Sequence, residues 1–401
     1  MVSRARIRAL QAALYDEEVA SCSNSNNNDD DHHDDDDLKE EDVKKLALEL
    51  REVADLLLTG REGSTGRLKT AKTKATGEVT RKDVDAPPRR KRTKQERGPD
   101  FSKSSFQHVA LKIAYFGWNY YGFARSKDGG DTVEAKLFSA LVQCRLIPPG
   151  SGPTAHVELN YSRCGRTDKG VSASGQVVAL KLRSCDRQTL DYVAMINRFL
   201  PDDIRVLGSA LVDASFHARF GATLRHYKYY FVQGDVEKVE RMKYTCANFV
   251  GQHDFRNFCK SSDSVESYVR TIHECYIEEM DEETRSQRDV FAFNVIGSAF
   301  LWHQVRCMAS VLFSTGEGTL HHTKDVQKYL DIAQQTERPS YTMAKEEPLL
   351  LYKCNFEQEV DFDISSHASV KLKAHLSRIL HDLVIRTQLV KQVLGLLVTP
   401  D

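Results

Sequence analysis

Apolar and polar residues alternate at the two-residue period of a β-strand in four parts of the chain. These stretches cover residues 106–115, 176–182, 225–232 and 290–296. In other parts, apolar residues recur every three or four positions, which is the period of a helix. These stretches cover residues 133–146, 190–200, 301–312 and 326–332. Strands and helices follow each other without a strict strand–helix–strand rhythm, so the pattern predicts an α+β fold with a largely antiparallel sheet.

The first hundred residues have a different composition from the rest of the chain. Residues 29–37 contain seven aspartates, and residues 67–97 contain twelve Lys or Arg against four Asp or Glu. Blocks of like charge are usually solvated and disordered, so we predict a charged, largely disordered arm over residues 1–100. The basic block has two interpretations, as a phosphate-binding segment or as a nuclear address, and the sequence leaves both open.

A short amphipathic helix is predicted within this arm, at about residues 38–58. Leu46, Leu50, Val53 and Leu57 fall on one face at heptad-like spacing. One interpretation is a helix that docks on the main domain. The other is a helix that mediates self-association or contacts RNA. The run spans about three turns, which is short for an independent coiled coil.

Cysteine usage and hydropathy restrict the class of protein. The nine cysteines form no Cys-x-x-Cys pair, which argues against a disulfide framework or a zinc cluster and favours reduced thiols in the cytosol or nucleus. No apolar run reaches membrane-spanning length. With 41% hydrophobic residues, the chain has enough apolar side chains for a substantial core.

The strongest chemical signal is the run CGRTDKGV at positions 164–171. It places Asp168 between Arg166, Lys169 and two glycines, just before a predicted strand. Glycines allow a sharp turn and the close approach of a ligand. Cationic neighbours favour the ionised form of a carboxyl group, so we expect Asp168 to be able to act as a nucleophile near neutral pH.

Three further segments combine aromatic residues with arginine or lysine. They span residues 216–229, 249–260 and 300–306, the last of which reads FLWHQVR. Aromatic faces stack on nucleic-acid bases, and arginines bind phosphates or carboxylates. An acid, a tyrosine on a strand and an arginine on a helix are therefore predicted to meet over a planar base.

On these residues, the chain resembles the TruA family of tRNA pseudouridine synthases over roughly residues 106–356. The runs GRTDKGV and FLWHQVR are the most specific matches. Lys169, the run VSA at 171–173, and Met343-Ala344 with Pro348-Leu349 are similar to the eukaryotic branch. The resemblance implies two related α+β halves, residues 101–215 and 216–356, which share an extended, mainly antiparallel sheet with a central cleft. A charged helical tail, residues 357–401, follows.

The resemblance also implies an activity. Members isomerise uridine to pseudouridine in tRNA, and this branch implies the anticodon stem-loop, at positions 38 and 39. The product is an isomer, so no metal, nucleotide or redox cofactor is expected. The expected partners are tRNA and, as in other members, a second copy of the chain in a homodimer, with no membrane. The run Arg89-Arg90-Lys91-Arg92 favours the nucleus together with the cytoplasm.

Four residues receive roles from the resemblance. Asp168 is the nucleophile, and Arg306 pairs with it. Tyr227 stacks on the uracil, and its deprotonation of C5 is the less favoured role because an unperturbed tyrosine has a pKa of about 10. Arg166 occupies the gap that the flipped base leaves.

Other interpretations stay open from the sequence alone. Arg306 and Tyr227 taken singly are also typical of packing residues. His303 is interpreted as a structural, hydrogen-bonded residue outside the catalytic set. For the whole protein, the alternatives are a non-catalytic tRNA-binding or chaperone protein on the same fold, or the same chemistry on tRNA uridines 27 and 28 or on messenger RNA.

Overall fold

The structure is a computed structural model that describes residues 99–125, 130–151, 157–185, 189–260, 265–280 and 289–396. The predictions for most of the charged arm, including its amphipathic helix at about 38–58, lie outside the described residues. The arm therefore stays a prediction.

One large sheet dominates the described part of the chain. Its strands are β1 (Phe106–Tyr115), β2 (Ser162–Arg163), β3 (Ser172–Arg183), β4 (Ile204–Leu211), β5 (Ala222–Gln233), β6 (Gly251–Asp254), β7 (Val269–Glu279), β8 (Asp289–Gly297) and β9 (Leu349–Phe356). Their order is β4-β1-β3-β9-β5-β8-β7-β6, and β2 also pairs with β3. All of these pairs are antiparallel except β3 with β9, which is parallel. The parallel pair joins strands β1–β4 to strands β5–β9.

Five helices lie between strands along the described part of the chain, and a sixth follows β9. They are α1 (Val133–Gln143), α2 (Tyr192–Asn197), α3 (Val236–Phe249), α4 (Gln304–Gly316), α5 (Lys324–Leu330) and α6 (Ser366–Gly395). Thr132, Asp191 and Asp235 each precede a helix and accept hydrogen bonds from its first turn, which is the usual role of an N-cap residue. None of the helices in the described ranges combines the length and apolar content that a membrane crossing requires.

Two hydrophobic cores lie along the sheet. One includes Leu111, Leu141 and Leu180 from β1, α1 and β3. The other includes Phe293 from β8 and Leu312 from α4. The half-buried ring of Tyr227 packs against both cores. The boundary between them therefore passes through one of the predicted site residues.

The α+β class and the mainly antiparallel sheet are confirmed. The alternating patterns correspond to β1, β3, β5 and β8, with β1 at the predicted bounds. The sequence analysis missed β2, β4, β6, β7, β9 and α3. Strands β2 and β6 are too short to show a period, and β7 carries exposed glutamates that obscure its alternation. The division into two related halves stays a prediction.

A buried carboxylate fixes α1 against the strand that leads to the candidate catalytic loop. Glu134, whose side chain is 2% exposed, forms an ion pair with Arg163 at the end of β2. It also accepts hydrogen bonds from the Tyr161 hydroxyl (2.7 Å) and the Arg125 backbone N–H (3.0 Å). A buried charge needs partners of this kind to offset its lost hydration.

We expect Arg163→Met to lower the free energy of unfolding by about 3 kcal/mol, because it leaves a buried carboxylate without its cation. The matched control is Lys136→Met on α1, which removes an exposed ion pair with Asp131, a residue that precedes the helix. That loss is expected to be below about 1 kcal/mol. Urea unfolding of both variants measures the difference. Equal losses would contradict the role assigned to the buried pair.

Candidate active site

A cleft of about 410 Å³ opens where β5, α4 and the loop before β3 come together. Its lining includes Arg166, Asp168, Tyr227 and Arg306. These residues lie up to 140 positions apart in the chain, as their numbers show. The structure thus brings all four predicted site residues to one cavity.

Asp168 lies on the loop between β2 and β3, and several hydrogen bonds fix this loop. The Val171 N–H closes a tight turn onto the Asp168 carbonyl at 3.2 Å. The Thr167 carbonyl accepts from the Phe123 N–H at 3.1 Å, and the hydroxyls of Thr167 and Tyr115 lie 2.8 Å apart in a buried hydrogen bond. The loop that carries Asp168 is therefore held against the last residue of β1 and the segment that follows it.

Gly170 shows why this loop needs a glycine. Its φ is +80°, a backbone conformation that side chains disfavour. A Cβ atom built there would lie 2.4 Å from the Cγ atom of Glu346. Glycine thus permits both the turn after Asp168 and the close approach of the segment that precedes β9.

Burial and charge act in opposite directions on Asp168. Burial raises the pKa of its carboxyl group above the ordinary value. The Arg306 charge lowers this pKa, as does a hydrogen bond from the Trp302 side chain, while Glu346 raises it. Burial outweighs the cations in this balance, so the pKa of Asp168 is raised overall. The expectation that Asp168 is ionised near neutral pH stays a prediction. Arg306 has the largest lowering effect on the pKa of Asp168. Lys169, the neighbour in sequence, lies against an aromatic ring, with its Nζ 4.8 Å from the Tyr121 ring centroid.

Arg306 lies in the first turn of α4 and is buried. Its Nε donates to the Ala344 carbonyl at 2.8 Å, and one terminal nitrogen donates to Glu346 Oε2 at 2.7 Å. The predicted direct ion pair between Arg306 and Asp168 is thus replaced by an ion pair with Glu346. Arg306 acts on Asp168 through its charge across the cleft, because its hydrogen bonds are used on the segment before β9.

Tyr227 lies on β5, where it pairs with Val295 on β8 and Leu351 on β9. Its ring meets Phe300 edge to face, with centroids 5.0 Å apart. Burial raises the pKa of its hydroxyl far above the ordinary value of 10.0. The geometry therefore suits a ring that packs against a planar group and disfavours Tyr227 as a base near neutral pH.

Arg166 is exposed and borders two cavities. The second has a volume of about 460 Å³ and also includes Arg163, Arg219, Arg225 and Arg270. Burial and the nearby charges of Arg163 and Arg219 lower the pKa of Arg166. Adjacent positive charges of this kind favour an anionic ligand such as an RNA backbone.

Within the described ranges, no group of three or more His, Cys, Asp or Glu side chains is arranged to hold a metal ion. The Asp and Arg side chains that line the cleft are those of Asp168, Arg166 and Arg306.

Comparison with known proteins identifies the family. A family described as "tRNA pseudouridine synthase" matches residues 245–357. The "tRNA pseudouridine(38/39) synthase" of Mus musculus is 42% identical over 66% of this chain and 58% of that protein. The enzyme of the same name from Saccharomyces cerevisiae is 40% identical over 67% of this chain and 62% of that protein. The "tRNA pseudouridine synthase A" of Methanosphaera stadtmanae is 31% identical over 68% of this chain and 92% of that protein.

The chain belongs to the tRNA pseudouridine synthase family. The resemblance inferred from the two sequence motifs is thereby confirmed. The chain spans about three fifths of the length of the mouse and yeast relatives, 58% and 62%.

Two residues that the sequence did not assign to the site lie at the cleft lining or against it: His303 lines the cleft, and Glu346 pairs with Arg306. His303 precedes α4 with a left-handed φ of 66°, and its Nε2 lies 3.7 Å from Asp168 Oδ2. Burial, followed by the Arg306 charge, lowers the pKa of His303 to about 4, so the imidazole is neutral at physiological pH. No sequence pattern indicated Glu346 as a site residue, because only the fold places it beside Arg306.

We expect two substitutions to move the pKa of Asp168 in opposite directions. Arg306→Gln removes the cation that lowers this pKa, so the pKa should rise. Glu346→Gln removes an anion that raises it, so the pKa should fall. Carboxyl ¹³C NMR of aspartate-labelled protein measures the titration, and Asp168→Asn assigns the resonance. Shifts in the same direction in both variants would contradict this electrostatic description.

Proposed function

We propose that this protein is a tRNA pseudouridine synthase that isomerises uridine to pseudouridine, with Asp168 as the nucleophile. The observation that carries the proposal is the convergence of Asp168, Tyr227, Arg306 and Arg166 on one cleft. Family membership supports the reaction. The names of the mouse and yeast relatives support positions 38 and 39 of the anticodon stem-loop as targets.

Asp168 supplies the bond-forming group in this proposal. Its carboxylate attacks the target nucleotide, either at ribose C1′ or at base C6, and both routes agree with the cleft. The N1–C1′ bond breaks, the uracil turns within the cleft, and C5 bonds to C1′. The bond between Asp168 and the nucleotide breaks with its electron pair returning to the carboxylate, so Asp168 is regenerated. C5 loses a proton and N1 gains one, so the product is an isomer of the substrate and no net redox change occurs.

The charge of Arg306 keeps enough of the Asp168 carboxylate ionised for attack, because it opposes the effect of burial. The buried hydrogen bonds of Arg306 to Ala344 and Glu346 hold that charge in place. Positioned charges of this kind stabilise a reacting group without reorganisation at the moment of reaction.

Tyr227 and Arg166 act on the displaced nucleotide. The Tyr227 ring, held edge to face by Phe300, stacks on the detached uracil while it turns. Arg166, exposed at the cleft entrance, fills the gap in the RNA that the flipped base leaves. Base flipping costs a few kcal/mol, so a residue in the gap makes the extruded state more accessible.

The proposal extends to partners and location. tRNA binds along the arginine-lined cavity beside the cleft, and a second copy of the chain completes a homodimer, as the family resemblance implies. We place the protein in the nucleus and cytoplasm on the basis of the basic block in its arm and its eukaryotic relatives.

Pseudouridine mapping tests this function directly. We expect the purified protein to form pseudouridine at position 38 or 39 of an unmodified tRNA that carries uridine at both. Asp168→Asn should lower the rate at least about 1000-fold, because the nucleophile is lost, while tRNA affinity is retained. The exposed Asp361→Asn variant is the matched control and should retain the wild-type rate.

The outcomes separate the parts of the proposal. Product at another position would overturn the substrate assignment and keep the chemistry. Binding without product, with a control enzyme active on the same tRNA, would overturn the catalytic function and favour a tRNA-binding protein. Wild-type activity in Asp168→Asn would overturn the role of Asp168.

A further inference from the structure

Trp302 is a large aromatic residue held in solvent at the edge of the candidate active site. It is 47% exposed and lines the same cleft as Asp168. One of its ring faces is near the ammonium group of Lys260, whose Nζ lies 4.3 Å from the ring centroid. An exposed indole contributes little burial to the fold, so packing alone does not explain its position.

The backbone around Trp302 is fixed on both sides. The Lys260 N–H donates to the Trp302 carbonyl at 3.0 Å. The Gln304 N–H donates to the Leu301 carbonyl at 3.1 Å, and the Leu301 N–H donates to Gln304 Oε1 at 2.8 Å. The following residue, His303, has a left-handed φ of 66°, a conformation that persists only where the surroundings impose it. These hydrogen bonds fix the backbone of Trp302 without a bound ligand.

An ordered aromatic ring beside a cation suits a nucleic-acid base. Bases stack on aromatic side chains whatever their identity, because every base has a π face. Trp302 and Asp168 line the same cleft, and the Trp302 side chain lowers the pKa of the Asp168 carboxyl group, so the indole lies near the reacting position. Tyr227 lies on β5 and packs against both cores, so its ring is half-buried. Trp302, in the 300–306 segment, is the more exposed aromatic residue at the cleft.

We propose that Trp302, with Lys260 against its ring, is a stacking platform for the base that neighbours the target uridine in the RNA strand. This inference rests on the proposed function, and it identifies a binding site for a second nucleotide. The platform holds the strand at the cleft edge while the target base enters the cleft. Because stacking is tolerant of base identity, the platform sets the position of the strand and not its sequence.

Tryptophan fluorescence tests the platform without any need for catalysis. The chain has two tryptophans, so Trp118→Phe leaves Trp302 as the single emitter. We combine this change with Asp168→Asn and titrate an anticodon stem-loop RNA. Stacking should quench the emission. An RNA with an abasic site at one of the two positions flanking the target should bind without that quenching, whereas an abasic site at the target should retain it.

Affinity measurements provide the second test. Trp302→Ala should weaken binding of the stem-loop about 5- to 150-fold, the range typical of one lost base stack, and Trp302→Phe should restore most of it. Trp302→Ala should cause no further loss with the RNA that is abasic at the flanking position, because the partner base is already absent. The matched control, Trp118→Ala, should change affinity for both RNAs alike.

The results separate this inference from the proposed reaction. Quenching that disappears only with an abasic target would overturn the platform, because Trp302 would then contact the target base. An equal effect of Trp302→Ala on intact and flank-abasic RNA would also overturn it. If quenching depends on the flanking base but no pseudouridine forms in the wild-type protein, the platform is supported and the proposed reaction fails.

Discussion

The balance between the burial of Asp168 and the charge of Arg306 is the interaction on which the site depends. Burial raises the pKa of the carboxyl group, and Arg306 provides the largest opposing effect. Arg306 is itself fixed by Ala344 and Glu346, which lie on the segment before β9. The partly buried carboxylate of Asp168 therefore relies on a cation that a distant part of the chain positions.

The sheet explains how these groups meet. The parallel pair of β3 and β9 joins the two parts of the sheet and places the loop of Asp168 beside the segment that carries Glu346. Gly170 allows that approach, because a side chain there would collide with Glu346. Tyr227 packs against both hydrophobic cores. The geometry of the candidate site is thus linked to the junction of the two cores, so a change in their packing is expected to displace the site.

Much of this arrangement was predictable from local patterns. The period of apolar residues predicted β1, β3, β5 and β8, and two motifs indicated Asp168 and Arg306. The pairing of Arg306 with Glu346 was not predictable, because it depends on a contact between residues 40 positions apart. The raised pKa of Asp168 was also missed, since the sequence shows the charged neighbours of a residue but not its burial. Trp302 and His303 belong to the FLWHQVR motif at positions 300–306. The sequence does not show which side chains of that motif are exposed and which are buried; only the fold does.

The acidic limb of the single-turnover rate of pseudouridine formation tests this account most directly. In the proposed reaction Asp168 attacks in its ionised form, so the rate should fall as the pH decreases through its pKa. Because burial raises that pKa, the rate in the wild-type protein should reach half its maximum at a pH above the ordinary pKa of an aspartate. In Arg306→Gln, the half-maximal rate should occur at a still higher pH. An identical limb in both proteins would contradict the claim that the Arg306 charge keeps the nucleophile ionised.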